Sequence, residues 1–166
     1  MAVRVADHFA AHQQVVRLSL TELEGEAEAA GETLVRTLRS GGKVLAFGNG
    51  GSATQASHLA GELIGRFLKT RQPLAAVALV GDPGTMTCIA NDFGYGAAFE
   101  RQIEALAVRG DLAIGLTTSG RSENVVRGLT AAARRGAAQS SSTMSRRSLT
   151  IRVRSRLQPR PACPWC

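Results

Sequence analysis

The stretch "VLAFGNGGSATQASHLAGELIGRF" (44–67) decides the fold. With Lys43 ahead of it, "KVLAFG" (43–48) is a short apolar run of the kind that fills a buried strand. It breaks at Gly48-Asn49-Gly50-Gly51-Ser52. From residue 53 to 67 the apolar spacing turns helical, with Ala56, Leu59, Ala60, Leu63 and Phe67 on one side. Gln55, His58, Glu62 and Arg66 form a polar stripe on the other. A strand that runs through a glycine loop straight into a helix is the first half of a βαβ unit.

Working outward, the alternation repeats. "LAAVALVG" (74–81) and "LAIGLTTSG" (112–120) are strand-like. "AAFERQIEALAVRG" (97–110) and "ENVVRGLTAAARRG" (123–136) are helix-like. This predicts an α/β fold, a doubly wound parallel sheet covered by helices on both faces. Residues 8–38 carry apolar positions at spacings of three and four, so N-terminal helices precede the sheet. Gly25 and Gly31 are expected to split them in two.

Composition sets bounds. At 166 residues, 44% hydrophobic and 20% charged, the chain suits one domain with a substantial core. No apolar run approaches the ~20 residues of a membrane span, and no signal peptide is visible, so a cytoplasmic location is expected. The net charge of +7 raises nucleic acid as a partner. However, six arginines and no acid lie in 137–166, leaving 14 basic against 13 acidic residues in 1–136. The body is nearly neutral, and nucleic-acid binding is not expected. Of three cysteines, Cys88 is read as core. Cys163 and Cys166 form "CPWC" without a second pair to complete a zinc site. The segment 137–166 reads as an Arg/Ser/Pro-rich tail, disordered or loosely attached. "AAQSSSTMS" makes a poor strand there, while "LTIRV" (149–153) can form a short one.

Open parallel sheets bind ligands at the carboxyl ends of their strands. Two loops lie there. In the first, the glycines around Asn49 and Ser52 let backbone approach a ligand. In the second, Thr117, Thr118, Ser119 and Ser122 place four hydroxyls in six residues ahead of a helix. Each loop alone is equally well a tight turn with a hydroxyl helix cap. Together they point to a phosphorylated small molecule. Neither fits a nucleotide-binding motif, so no nucleotide cofactor is expected. His58 and Glu62 lie one turn apart on the polar stripe, which opens at the first loop. Periodicity alone makes this stripe a solvated polar face; at the mouth of the loop, a carboxylate suits a general base, and a His–Glu pair suits a shared metal. Asn91 and Asp92, in "IANDFGYG" (89–96), either bind sugar hydroxyls or form an Asx turn before Gly94.

Three stretches, "GNGGSATQASHLAGELIGRF", "IANDFGYGAAFERQIEAL" and "GDLAIGLTTSGRSENVVRGLTAAARRG", resemble the SIS (sugar isomerase) domain, and more narrowly the phosphoheptose isomerase family. The similarity spans about 8 to 136. It implies a five-stranded parallel sheet and a homotetramer packed through the N-terminal helices, with active sites between subunits. The implied reaction converts sedoheptulose 7-phosphate to D-glycero-D-manno-heptose 7-phosphate for surface glycans. Phosphate-binding hydroxyls fall on Thr117, Thr118, Ser119 and Ser122, with Ser52 nearby. Substrate contacts fall on Asn49, Gly50, Gly51, Asn91 and Asp92. The catalytic glutamate falls on Glu62, and zinc ligands on His58 and Glu62. The family's second acid/base, a histidine on a C-terminal helix, has no counterpart in 137–166, which reads as a disrupted frame or truncated product with impaired activity. The alternative is a non-catalytic SIS module that binds a sugar phosphate or a protein such as a replication initiator.

Overall fold

A computed structural model describes residues 4–144 and 149–154. A long helix α1 (Val5–Arg39) leads into β1 (Val44–Gly48) and α2 (Gly51–Ile64). Then follow β2 (Ala76–Ala78), α3 (Pro83–Phe93), a 3₁₀ turn (Tyr95–Ala97) and α4 (Ala98–Leu106). The chain continues through β3 (Leu112–Thr117), α5 (Glu123–Arg134), β4 (Ala138–Met144) and β5 (Leu149–Arg154). The sheet order is β2-β1-β3-β4-β5. The first four strands are parallel, as the alternating pattern predicts, and β5 runs antiparallel to β4. The fully parallel five-stranded sheet is therefore corrected at one edge.

Each face of the sheet has its own core, which is what alternating side-chain direction along a strand produces. On β1, Val44 packs with Ala60, Leu63 and Ala76, and Leu34 and Leu38 of α1 lean on the same cluster. Leu45 and Phe47 point the other way, into Phe99, Ile103 and Val125 of α4 and α5. The Phe47 and Phe99 rings lie 5.0 Å apart, centre to centre. Gly128 makes this possible: a Cβ there would stand 2.9 Å from the Phe47 ring. At the amino-terminal end of the sheet, buried Asp111 accepts from the Lys43 ammonium at 2.6 Å and from the Lys43 and Val108 amides.

Four expectations change here. Gly25 and Gly31 do not split α1, which runs unbroken over 35 residues. A helical glycine costs only about 1 kcal/mol, and both sit in open space. The strand read at 74–81 shrinks to three residues, because Asp82 and Pro83 open α3. Cys88 is exposed on that helix, not core. "AAQSSSTMS" supplies a full strand, β4, in register with β3 from Leu112↔Ala138 to Thr117↔Thr143. The open edge of β3 recruits the next extended segment through backbone hydrogen bonds, which need no apolar side chains. "LTIRV" is a strand, β5. Cys163 and Cys166 lie outside the described residues.

Candidate active site

The strand order reverses at β1, since β2 lies on one side of it and β3 on the other. The crevice of a doubly wound sheet opens at such a point, above the carboxyl ends. The two strands that flank it end in the glycine loop and the hydroxyl loop. β1 is paired with β3 to its last residue, Gly48 opposite Leu116. A Cβ on Gly48 would stand 2.7 Å from the Leu116 carbonyl oxygen and 2.7 Å from the Ser52 Cβ. Only glycine lets α2 start this close to β3.

Neither helix that leaves the crevice uses a side-chain cap. Gly50 caps α2 with φ 54°, ψ −123°, a left-handed conformation suited to glycine. The amides of Ser52 and Ala53 bend back to the carbonyls of Asn49 and Gly50. Ser122 caps α5 by position, yet its hydroxyl lies 3.3 Å from Thr117 Oγ1 rather than on its own helix. Gly120 N–H donates to Thr117 Oγ1 and Arg121 N–H donates to Ser119 Oγ. Thr118 and Ser119 are exposed, Thr117 is buried and Ser122 is half-buried. The plain helix-cap reading of these hydroxyls fails for both loops. The Thr117 and Ser122 oxygens meet at the head of α5.

Two residues that sequence reasoning missed tie the loops together. Asn49 and the buried Asn124 of α5 exchange carboxamide hydrogen bonds of 2.9 and 2.8 Å. Tyr95 donates its hydroxyl proton to Asn49 Oδ1 at 2.9 Å. Asn124 had a legible position, two residues into a helix that leaves a candidate phosphate loop. Its pairing with Asn49, 75 residues away, was not legible. Asn91 and Asp92 occupy the last turn of α3, both exposed, and Asn91 Nδ2 donates to Asp92 Oδ1 at 2.8 Å. The Asx turn is thus replaced by a helix end. Asp82 accepts from the Gly84 amide and the Thr85 hydroxyl, with Pro83 in the first turn. These bonds, the Thr85 hydroxyl first, hold the Asp82 carboxyl below its usual range. "DPGT" is an N-cap signal that the sequence displays plainly.

The polar stripe on α2 behaves differently from its expectation. His58 Nε2 lies 3.8 Å from Glu62 Oε1, with His58 exposed and Glu62 about one-third exposed. Yet Glu62 is ten residues past Ser52, roughly 15 Å down the axis at 1.5 Å per residue. The stripe starts at the crevice and leaves it. Ala56, Ala60 and Leu63 are buried as expected, whereas Phe67 lies past the helix end and is exposed. Arg71 holds that end, donating to the Glu62 and Leu63 carbonyls. Among the described residues no group of three or more His, Cys, Asp or Glu side chains converges to hold a metal. His58 and Glu62 supply two donors of the three or four that zinc requires.

The comparisons agree with this geometry. A family model described as the SIS domain matches residues 7–139. The phosphoheptose isomerase of Aquifex aeolicus is 53% identical over 116 residues, covering 69% of this chain and 60% of that protein. That of Aliarcobacter butzleri is 43% identical over 129 residues, covering 78% and 68%. The chain therefore spans between half and two-thirds of the length of several curated relatives it matches. The structure of phosphoheptose isomerase from Neisseria gonorrhoeae superposes with a TM-score of 0.78 at 38% identity, over 83% of this chain and 72% of that one. The Francisella tularensis enzyme superposes equally well at 31% identity, over 85% and 73%. With its crevice loops, its strand order and these matches in agreement, the chain belongs to the SIS-domain family, on its phosphoheptose isomerase branch.

Proposed function

We propose that this chain carries the sugar-phosphate site of an aldose–ketose isomerase that converts sedoheptulose 7-phosphate to D-glycero-D-manno-heptose 7-phosphate. One observation carries the reading. Two βα loops meet across the switch point, and the hydroxyls of Ser52, Thr117, Thr118, Ser119 and Ser122 are not spent on helix caps. A phosphate dianion takes such hydroxyls and the head of α5 together. The open-chain sugar then extends over Asn49, Gly50 and Gly51, toward Asn91 and Asp92.

The reaction moves a proton from C1 of the ketose to C2, through an enediol. A carboxylate takes the carbon-bound proton and returns it to the neighbouring carbon, while a second group shifts the hydroxyl proton from O1 to O2. Glu62 is the proposed carboxylate. Because α2 carries it away from Ser52, it is assigned to the crevice of another copy. An oligomer, the homotetramer of the resemblance, supplies that copy. The apolar stripe of α1, with Val5, Phe9, Val16 and Leu20 exposed, supports this assembly. A zinc ion on His58 and Glu62 requires donors beyond these two, and the proton transfer is written without it.

The test is conversion of sedoheptulose 7-phosphate by the purified chain beside Glu62→Gln. Turnover that falls about 10²–10⁴-fold in the variant supports the isomerase. A folded protein that binds the substrate without turnover is a binding module instead.

A further inference from the structure

The carboxamide pair between the two loops has a polarity that can be worked out. The Val125 amide donates to Asn124 Oδ1 at 3.0 Å. A backbone N–H can only donate, so that atom of Asn124 is its oxygen. The other arm of Asn124 is then the NH₂, and the Asn49 atom 2.8 Å from it must be Oδ1. Asn49 Nδ2 in turn donates to Asn124 Oδ1 at 2.9 Å. Tyr95 fills the second lone pair of Asn49 Oδ1. The accounting closes: both lone pairs of Asn49 Oδ1 are engaged, and one of the two Nδ2 hydrogens is engaged.

We infer that Asn124 is a positioning residue that, with Tyr95, locks the Asn49 carboxamide so that it offers a ligand one N–H donor and no acceptor. Asn49 stands at the glycine loop, half-buried at the carboxyl end of β1 where the crevice opens, and the second N–H is the one this inference assigns to a ligand there. Its partner must be an acceptor oxygen, from a phosphate, a carbonyl or a hydroxyl whose own proton is directed elsewhere. The lock also joins the two loops through side chains alone. Asn124 is 3% exposed, and an unpaired carboxamide buried to that degree carries a large desolvation cost. The pairing is thereby held before any ligand arrives. This inference rests on the sugar-phosphate reading of the crevice and adds the direction of one hydrogen bond and the residue that fixes it.

Two variants and one spectrum test it. Asn124→Asp keeps the shape, and it keeps the acceptor for the Val125 and Asn49 N–H groups. It removes the donor to Asn49 Oδ1 and adds a negative charge beside the hydroxyl loop, so Tyr95→Phe, which adds none, and the Asn49 amide spectrum separate the lock from simple repulsion of the phosphate. Tyr95→Phe removes the other donor by taking one hydroxyl from an exposed side chain. Calorimetric titration with sedoheptulose 7-phosphate is expected to show affinity lower by about tenfold in Asn124→Asp and about threefold in Tyr95→Phe. In ¹⁵N-labelled wild-type protein, one Asn49 side-chain amide proton shifts on titration while its twin stays put. Unchanged affinity in both variants, or binding that leaves both Asn49 amide protons unmoved, overturns the inference alone. Wild-type protein that does not bind the sugar phosphate overturns the underlying reading, and this one with it.

Discussion

Gly48 has no room for a side chain. Its missing Cβ is the gap through which the first turn of α2 approaches the Leu116 carbonyl. Gly48→Ala forces backbone apart at the crevice, and such overpacking costs about 1–3 kcal/mol. Urea denaturation should show that loss, with binding of inorganic phosphate weakened in parallel. Gly50 is demanding for a different reason. Its neighbourhood is empty, but its positive φ disfavours any L side chain. At this scale the sequence was informative about residue types and silent about partners. Glycines and hydroxyls announced two loops. Nothing in the order of residues announced that Asn49 would pair with Asn124 and Tyr95, since that pairing depends on which strand lies beside β1.

At the scale of elements, α4 and α5 are joined outside by charge, and inside both pack against Phe47 of β1. Glu100 accepts from Arg127 at 2.7 Å and from Arg134 at 2.9 Å, while Arg134 also reaches Glu104. The Arg134 hydrogen bond, then that of Arg127, holds the Glu100 carboxyl below its ordinary value of 4.5. A lowered carboxyl pKa stabilises the fold above the ordinary value, and the contribution is lost as pH falls through the folded value. The stability gap between wild type and Glu100→Gln should therefore be present at pH 7 and close progressively below pH 4.5, as read from unfolding curves across that range. Inside, Phe99 is fully buried against Phe47. Phe99→Ala should cost about 3–5 kcal/mol in the same measurement. Helix α3 shows why some elements escape a reading by periodicity. Only Ile89 is buried along its length, so its apolar pattern is faint and its capping residues were the better signal.

For the whole molecule, the feature that stands out is the length of α1. At 1.5 Å per residue its 35 residues span about 52 Å, while a five-residue strand spans about 17 Å. Its carboxyl-terminal half is anchored, with Leu23, Thr33 and Thr37 buried. The stripe that these residues continue runs on as exposed Val5, Phe9, Val16 and Leu20. A stripe of that kind is stable when another surface covers it. Phe9→Glu combined with Leu20→Glu should convert an oligomer to smaller species in sedimentation velocity. A wild-type chain that sediments as a monomer would remove the route by which Glu62 meets a neighbour's crevice.

The sequence by itself determined the class of fold and the two loops, because hydrophobic period and glycine chemistry are local properties. It also determined the hydroxyl set and the His58–Glu62 pairing, since four residues make one helical turn. Tertiary structure decided the rest. Edge pairing made a strand of the serine-rich 138–144 segment and turned β5 antiparallel, because an open sheet edge asks for backbone rather than for apolar side chains. Helical rise carried Glu62 away from the loop it follows in sequence. Strand order brought Asn49, Tyr95 and Asn124 into one network, a juxtaposition of three distant segments that no local pattern encodes.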